Sequence, residues 1–205
     1  MKNRKIVLAM TGASGSIYGL KLGKELIACE ADLTILLSST AVQVIREETA
    51  LDLGGLESDT RRVLGAYFRP KQGQLHYYAD TDFFAPVASG SSAPDAMVIC
   101  PCTMGTLSRV ACGNSGTLLE RCADVMLKER RPLVLVPRET PLSEIHLENM
   151  LKLARLGAAI VPAMPAFYHE PETIDDLVNF QVGKVLDVLG IENSLYKRWQ
   201  GEGEE

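Results

Sequence analysis

Two turns of small and hydroxyl-bearing residues carry the groups best suited to bind an anion. The first turn, Thr11–Ser16, follows the apolar run Ile6–Met10, and the second, Pro101–Ser108, follows the apolar run Met97–Cys100. Each turn leads into a helical pattern, so backbone N–H groups and the positive end of the helix dipole face whatever lies in front of it. The two turns therefore predict a site for a phosphate or another anion.

Ordinary helix capping explains the same residues. Gly12 and Gly15 allow a tight backbone turn, and Ser14 or Ser16 could cap the next helix. The glycine spacing is not G-x-G-x-x-G, and the chain has no G-x-x-x-x-G-K-[ST] motif, which disfavours a dinucleotide fingerprint and ATP hydrolysis. If both turns lie on one edge of a sheet, they fit a mononucleotide better than a lone anion.

Two pairs of charged residues are further candidates for a binding site. Arg138 and Glu139 come directly after the apolar run Leu133–Val136 and its proline. On a surface such a pair contributes about 0–1 kcal/mol, whereas beside a ligand it offers guanidinium donors and a carboxyl group for proton transfer. Arg121 and Lys128, seven positions apart on a predicted helix, share one face. A solvated helix face explains that second pair as well.

The elements that must position these residues alternate between strand and helix. Continuous apolar strands separated by helices are typical of a parallel sheet covered on both faces. We therefore expect an α/β, Rossmann-like or flavodoxin-like fold with three layers and a doubly wound, mostly parallel sheet, with ligands at the carboxyl edge. The predicted strands are Ile6–Met10, Asp32–Leu37, Met97–Cys100, Leu133–Val136 and Ala158–Val161, and the main helices Ile17–Cys29, Ala41–Thr49, Leu142–Leu156 and Ile174–Leu189.

The stretch Leu53–Ser92 is less regular and reads as an excursion with a short strand near Leu75–Tyr78. The rest of the pattern shows no repeat and no linker, so we expect one domain over residues 1–200, followed by an acidic tail at 201–205.

Composition limits the classes of function. With 205 residues and a net charge of -5, the chain has no positive field to attract nucleic acid. Its five cysteines and three histidines lack metal-ligand spacing, which predicts reduced thiols and no metal site. It has no signal peptide pattern and no run of about 18 apolar residues. We expect a cytoplasmic protein without a membrane span.

Several of these segments together resemble the flavin prenyltransferases of the UbiX type, formerly described as 3-octaprenyl-4-hydroxybenzoate carboxy-lyases. The resemblance extends from about Lys5 to Trp199, and the segment P-R-E-T-P-L is its most specific part. It implies the homo-oligomeric flavoprotein fold shared with cysteine decarboxylases. The segments that carry it are Thr11–Gly15 with Tyr18 and Gly19, Pro101–Ser108, Pro137–Leu142, and Tyr168 with Asp176–Val178.

The resemblance implies a specific reaction. Such enzymes bind reduced FMN, transfer a dimethylallyl group from dimethylallyl monophosphate to flavin N5, and close a fourth ring onto C6. The released product, prenylated FMN, serves UbiD-type decarboxylases, including the one in ubiquinone biosynthesis. The family uses no metal for this ionisation and assembles its sites between the subunits of a homododecamer.

The resemblance also implies site residues. Glu139, Ser14, Glu48 and Trp199 match catalytic positions, with Glu139 as the acid/base and Trp199 facing a cationic allyl fragment. Packing of a C-terminal helix explains Trp199 equally well. Tyr168 and Lys184 would hold the dimethylallyl phosphate, and Arg121 and Lys128 match further positions of the substrate site. The expected FMN contacts are Gly12, Ala13, Ser14, Ser39, Thr103, Met104, Gly105, Thr106 and Arg138.

Three other readings remain open at this point. A flavin-dependent cysteine decarboxylase would carry a catalytic histidine and a P-x-M-N segment, but here the segment is Pro162–Pro165, with proline in place of asparagine. A non-catalytic flavin-binding subunit could lack Glu139, Tyr168 and Lys184, yet all three are present. The third reading is the older carboxy-lyase description.

Overall fold

A six-stranded parallel sheet forms the centre of the molecule. The computed structural model describes residues 4–199. Its strands are β1 (Lys5–Met10), β2 (Asp32–Leu37), β3 (Leu75–Tyr78), β4 (Ala96–Cys102), β5 (Leu133–Pro137) and β6 (Ala159–Ile160). Its α-helices are α1 (Ser16–Ala28), α2 (Ser39–Glu48), α3 (Glu57–Phe68), α4 (Met104–Ala111), α5 (Leu118–Lys128), α6 (Glu144–Arg155) and α7 (Ile174–Val188). The strand order is β3-β2-β1-β4-β5-β6, which confirms the predicted doubly wound α/β fold.

Two apolar cores lie on opposite faces of this sheet. Along β1, Ile6 and Leu8 point into the core shared with α1, α2, α3 and α7, whereas Val7 and Ala9 point into the core shared with α4, α5 and α6. Successive side chains of a strand face opposite sides. Because both sides are covered, the strands read as unbroken apolar runs, and this made them predictable.

The structure departs from the sequence prediction most clearly at helix α3 and at the end of strand β4. Helix α3 lies within the stretch expected to be irregular, and its buried residues Thr60, Leu64 and Phe68 recur every four positions among charged neighbours. Strand β4 does not end at Pro101 but continues to Cys102, with a shift of register against β5. A proline is tolerated at such an irregularity because no ladder hydrogen bond needs its missing N–H.

Helix α1 packs unusually close to β4. A Cβ atom on Gly19 would lie 2.3 Å from the Cys100 carbonyl oxygen, so only glycine allows this approach. Strands β1 and β4 are neighbours at the point where the strand order reverses, which is where ligands bind in such sheets. The two turns lie together because they follow the carboxyl ends of these neighbouring strands, and the close packing of α1 holds them there.

The acidic tail predicted at 201–205 lies outside the described residues. Within residues 4–199, no helix combines the length and the apolar character needed to cross a membrane.

Candidate active site

Thr11 joins the two turns. Its buried hydroxyl donates to the Pro101 carbonyl at 2.8 Å and accepts the Thr103 N–H at 2.8 Å. Its own N–H donates to the same Pro101 carbonyl at 3.1 Å. We call Thr11–Ser16 and Thr103–Thr106 together the paired turns, because these bonds hold them as one unit.

The second turn leaves the start of α4 open. Thr103 is the N-cap, and its hydroxyl oxygen accepts the Thr106 N–H at 3.1 Å. Met104 and Gly105, at the first two helical positions, have N–H groups without an intrahelical acceptor. A Cβ on Gly105 would meet nothing closer than Arg109 Nη1 at 3.6 Å. The exposed front of this helix can therefore receive an anion.

The first turn is different, because a carboxylate already occupies the start of α1. Glu48 Oε2, from the end of α2, accepts the N–H groups of Gly15 at 2.9 Å and Ser16 at 2.8 Å. The N-cap is Gly15 with a positive φ of 105°, so the expected serine N-cap is wrong. Burial raises the pKa of Glu48, but hydrogen bonds from Ser14, Ser16 and Gly15 outweigh it and leave the pKa below its ordinary value.

Other predicted FMN contacts gather around the paired turns. Arg138 follows β5, and its Nε donates to the Ser14 carbonyl at 3.2 Å. A Cβ on Gly12 would lie 2.4 Å from Thr40 Oγ1, which places the start of α2 against the first turn. Ser39 is exposed at the first position of α2, because the helix begins two residues earlier than predicted.

Glu139 lies beside a largely apolar cavity. Its carboxylate is exposed and accepts the Thr140 N–H at 3.1 Å. The cavity measures about 270 Å³, and Arg138 and Glu139 contribute its charged side. This combination suits a small apolar group carried next to a charged one. The remaining walls are Pro137, Thr140, Leu142, Met150, Pro162, Ala163 and Met164.

A cluster of aromatic rings follows β6. The ring of Tyr168 packs edge-on against Phe180 at 5.8 Å and against Trp199 at 5.5 Å, between ring centroids. Lys184 lies one turn after Phe180 on α7, so it shares that face. Trp199 is 71% exposed and lies beyond the end of α7, which excludes packing within a C-terminal helix. We call Tyr168, His169, Phe180, Tyr196 and Trp199 the aromatic wall.

Asp187 holds the segment that carries Trp199, a role that no motif in the sequence indicates. Its carboxylate accepts the Tyr196 hydroxyl at 2.6 Å and Arg198 Nη2 at 2.7 Å. Burial raises the pKa of Asp187, but the hydrogen bonds from Arg198, Tyr196 and Asn193 outweigh it and lower the pKa. Burial and the bond to Asp187 raise the pKa of Tyr196 to about 12.

Arg121 and Lys128 are not brought to this site within the chain. Arg121 donates to the Ala88 carbonyl at 3.0 Å and pairs with Asp124 at 2.8 Å, while Lys128 pairs with Glu129. Lys128 is the last residue of α5, just before β5 begins, and therefore lies toward the amino edge of the sheet. Both residues share the exposed side of α5, as their spacing predicted.

The carboxyl edge thus combines amide, hydroxyl and guanidinium donors with a carboxylate and an apolar cavity. Such a donor set fits the phosphate and the polar ring atoms of a flavin mononucleotide. The chain matches the family described as Flavoprotein over residues 1–186. It is 54% identical over 194 residues to the flavin prenyltransferase UbiX of Alkalihalophilus pseudofirmus, covering 95% of both chains. The chain belongs to the UbiX family of flavin prenyltransferases.

Solved structures of UbiX relatives have the same fold. The crystal structure of AnUbiX (PadA1) in complex with FMN and dimethylallyl pyrophosphate has a TM-score of 0.86 at 40% identity, covering 98% of this chain and 100% of that one. A dodecameric FMN-dependent UbiX-like decarboxylase from Escherichia coli O157:H7 has a TM-score of 0.84 at 41% identity, covering 96% and 100%. The family expected from the motifs is thereby confirmed, while the roles of individual residues stay predictions.

Proposed function

We propose that this UbiX-family protein transfers the dimethylallyl group of dimethylallyl monophosphate to N5 of reduced FMN, closes a ring onto C6, and releases phosphate. The observation that carries the proposal is the paired turns, with Arg138 bonded to them and Glu139 beside an apolar cavity. The FMN and dimethylallyl pyrophosphate in the AnUbiX complex support it.

The paired turns and their neighbours would hold the flavin. The open N–H groups at the start of α4 and the exposed Ser39 supply donors, and Arg138 adds a cation. Bound reduced FMN supplies the nucleophilic nitrogen of the reaction. The residues proposed to contact it are Gly12, Ala13, Ser14, Ser39, Thr103, Met104, Gly105, Thr106 and Arg138.

Departure of the phosphate requires stabilisation of negative charge. Breaking an allylic C–O bond leaves charge on the phosphate oxygens, and preorganised donors lower that barrier most effectively where water is excluded. Ser14, Tyr168 and Lys184 are the proposed donors on this chain. Glu48 accepts the N–H groups of Gly15 and Ser16, so it would hold the turn that carries Ser14 as well as fill the start of α1.

Glu139 is the proposed acid/base. Its exposed carboxyl group at the cavity can deliver a proton to the departing phosphate. In ring closure the C6 bond would form at the expense of the allyl double bond, whose other carbon takes up a proton, and the Glu139 carboxylate can accept the proton that C6 loses. Trp199 would present its π surface to the allyl cation, because the ring is exposed beside Tyr168.

Arg121 and Lys128 would reach the site from a second copy of the chain. Within one copy they belong to the surface of α5, so only a neighbouring subunit can present them to the carboxyl edge. The dodecameric state of the Escherichia coli relative supports a homododecamer with sites between subunits. We further propose that the reaction takes place in the cytoplasm and supplies prenylated FMN to a UbiD-type decarboxylase.

The reaction is tested by mixing the protein anaerobically with reduced FMN and either dimethylallyl monophosphate or the pyrophosphate. Mass spectrometry should detect an adduct one prenyl unit heavier than FMN. Glu139→Gln should keep FMN bound but slow prenylation by about 10²-fold, the usual scale for lost acid/base assistance. Bound flavin without an adduct would favour the non-catalytic reading, and release of CO₂ from a cysteine peptide or a hydroxybenzoate would favour a decarboxylase.

The shared site is tested by co-expressing Lys128→Ala with Glu139→Gln. Each variant alone should be impaired. In a mixed oligomer, some interfaces unite an intact Glu139 on one subunit with an intact Lys128 on the other, so activity should partly return. Absence of any recovery, with mixed oligomers verified by mass, would place Lys128 outside the neighbouring site.

A further inference from the structure

Glu120 is a buried carboxylate that the proposed reaction does not use. It is 3% exposed, and among the buried side chains of residues 4–199 it is the one ionisable carboxyl group. Its Oε2 accepts the Gly116 N–H at 3.0 Å, and its Oε1 accepts Nε of Arg109. A buried charge is costly unless it is paired, so Glu120 fixes where the Arg109 side chain lies.

Arg109 reaches from Glu120 back to the start of its own helix. Its Nη2 lies 3.5 Å from Thr106 Oγ1, and its Nη1 lies 3.6 Å from the position of a Cβ on Gly105. The guanidinium is therefore held by α5 on one side and faces the first turn of α4 on the other. Its side chain is 51% exposed, so its charge is available to a ligand in front of that turn.

The bonds continue into the paired turns. Thr106 Oγ1 also accepts the Thr103 hydroxyl at 3.0 Å, and the Thr103 N–H reaches Thr11 at 2.8 Å. A continuous chain of contacts thus runs from Glu120 through Arg109 to the residues expected to contact FMN. Each member is polar. Arg109, Thr106 and Thr103 belong to α4 and its N-cap, while Glu120 of α5 and Thr11 after β1 hold the two ends of the chain of contacts.

We propose that Arg109 is a positioning residue for the flavin site: anchored by Glu120, it sets the first turn of α4 and adds positive charge beside its free N–H groups. The inference rests on the proposed FMN site. Arg109 is not one of the motif residues, yet it would contribute to the affinity for the anionic flavin mononucleotide. A lysine at position 109 would not replace it, because a single ammonium group paired with Glu120 cannot also bond to Thr106.

The test measures FMN dissociation constants and thermal midpoints of the ligand-free protein for Arg109→Gln, Arg109→Lys, Glu120→Gln and the double variant Arg109→Gln/Glu120→Gln. Arg62→Gln, at an exposed arginine paired with Asp59, is the matched control. We expect Arg109→Gln and the double variant to weaken FMN binding about tenfold, the effect of one lost charge-assisted contact. Arg109→Lys should keep the thermal midpoint but not the affinity.

The double variant separates positioning from stability. It no longer buries an unpaired carboxylate, so its midpoint should return toward that of the unmodified protein while FMN binding stays weak. If binding recovers together with stability, or if Arg109→Gln binds FMN normally, Arg109 is merely structural and the inference is wrong. If the unmodified protein itself fails to bind FMN, the proposed function fails first, and the inference fails with it.

Discussion

The two turns at the centre of the sheet are similar in composition, but different side chains face the helix starts that follow them. At α1, the first N–H groups are bonded to the Glu48 carboxylate. At α4, the cap is the neutral hydroxyl of Thr103, and the nearby charge is the guanidinium of Arg109. One helix start is thus occupied by a carboxylate of the protein itself, whereas the other keeps its first N–H groups open to a ligand, beside an arginine that Glu120 anchors.

This difference shows that a helix start after a glycine-rich turn is not by itself an anion site. Glu48 lies 33 positions beyond Gly15 in the chain, and α2 must fold over the first turn before the carboxylate can reach it. The phosphate-binding reading of the first turn therefore depends on a residue that no local motif includes. At the second turn the deciding residue, Arg109, lies within the same helix.

The largest expected effect on stability is at Gly12. In Gly12→Ala the new methyl group would meet Thr40 at 2.4–2.5 Å, so the start of α2 must shift. Overpacking of this kind costs about 1–3 kcal/mol of unfolding free energy. Urea denaturation of the ligand-free protein measures it. A variant as stable as the unmodified protein would show that the first turn is looser than this contact indicates.

A smaller effect is expected at the cap of α4. Thr103→Val removes the hydroxyl that accepts the Thr106 N–H, which should cost about 1 kcal/mol, and FMN binding should weaken as well. Thr173→Val removes the equivalent cap of α7 and serves as the control. Both variants should lose stability in urea, but only Thr103→Val should lose affinity. If both variants lost FMN affinity equally, the second turn would have no specific role in binding FMN.

The charge on Glu48 should contribute less than the cap and should depend on pH. Glu48→Gln keeps an acceptor oxygen but loses the interaction with the helix dipole, about 0.3–1 kcal/mol. Because the pKa of Glu48 in the folded protein is below 4.5, its stabilising contribution is complete above pH 4.5 and disappears as the pH falls through the folded pKa.

Unfolding free energies of the two proteins should therefore differ at pH 7 and converge in acid. A difference that stays constant between pH 7 and pH 3 would mean that the Glu48 charge does not stabilise α1.

The smallest effect on stability is expected at Gly105, the counterpart of Gly12 in the second turn. The methyl group of Gly105→Ala has room, since the nearest atom is 3.6 Å away, and alanine favours a helix by roughly 0.5–1 kcal/mol. The thermal midpoint should stay level or rise slightly. FMN binding should weaken, because the methyl group occupies the open front of α4. Unchanged binding would mean that the flavin does not approach Gly105.

Much of the fold could be predicted because both sheet faces are buried. The run Asp32–Leu37 is strand β2 to the residue, since four of its six residues are apolar and β-forming Thr34 interrupts them only once. Helix α3 was missed because its first half is charged, with Arg61 and Arg62 between the buried Thr60 and Leu64, and because a glycine lies in its second half. Its apolar spacing was the available signal, but its mean hydropathy is low.

The site was predictable where its residues follow the ends of parallel strands. It was not predictable where a contact depends on how helices and loops pack. The paired turns and Arg138 follow strand ends, so their convergence follows from a parallel sheet. The contacts from Glu48 to Gly15, from Arg109 to Glu120 and from Asp187 to Arg198 depend on how helices and loops pack. No periodicity encodes them, and only the resemblance to a family had marked Glu48.

The segment after Ile191 packs back against α7 and is the last part of the described chain to be synthesised. The core can therefore fold before the site is complete. The last buried residue of either core is Ile191, whereas Trp199 and the groups that clamp its segment to Asp187 come later in the chain. A ribosome therefore releases every fully buried residue of the α/β core before it releases Tyr196 and Trp199 of the aromatic wall. A chain ending after Ile191 should fold around its sheet yet lack the surface on which an allyl group would rest.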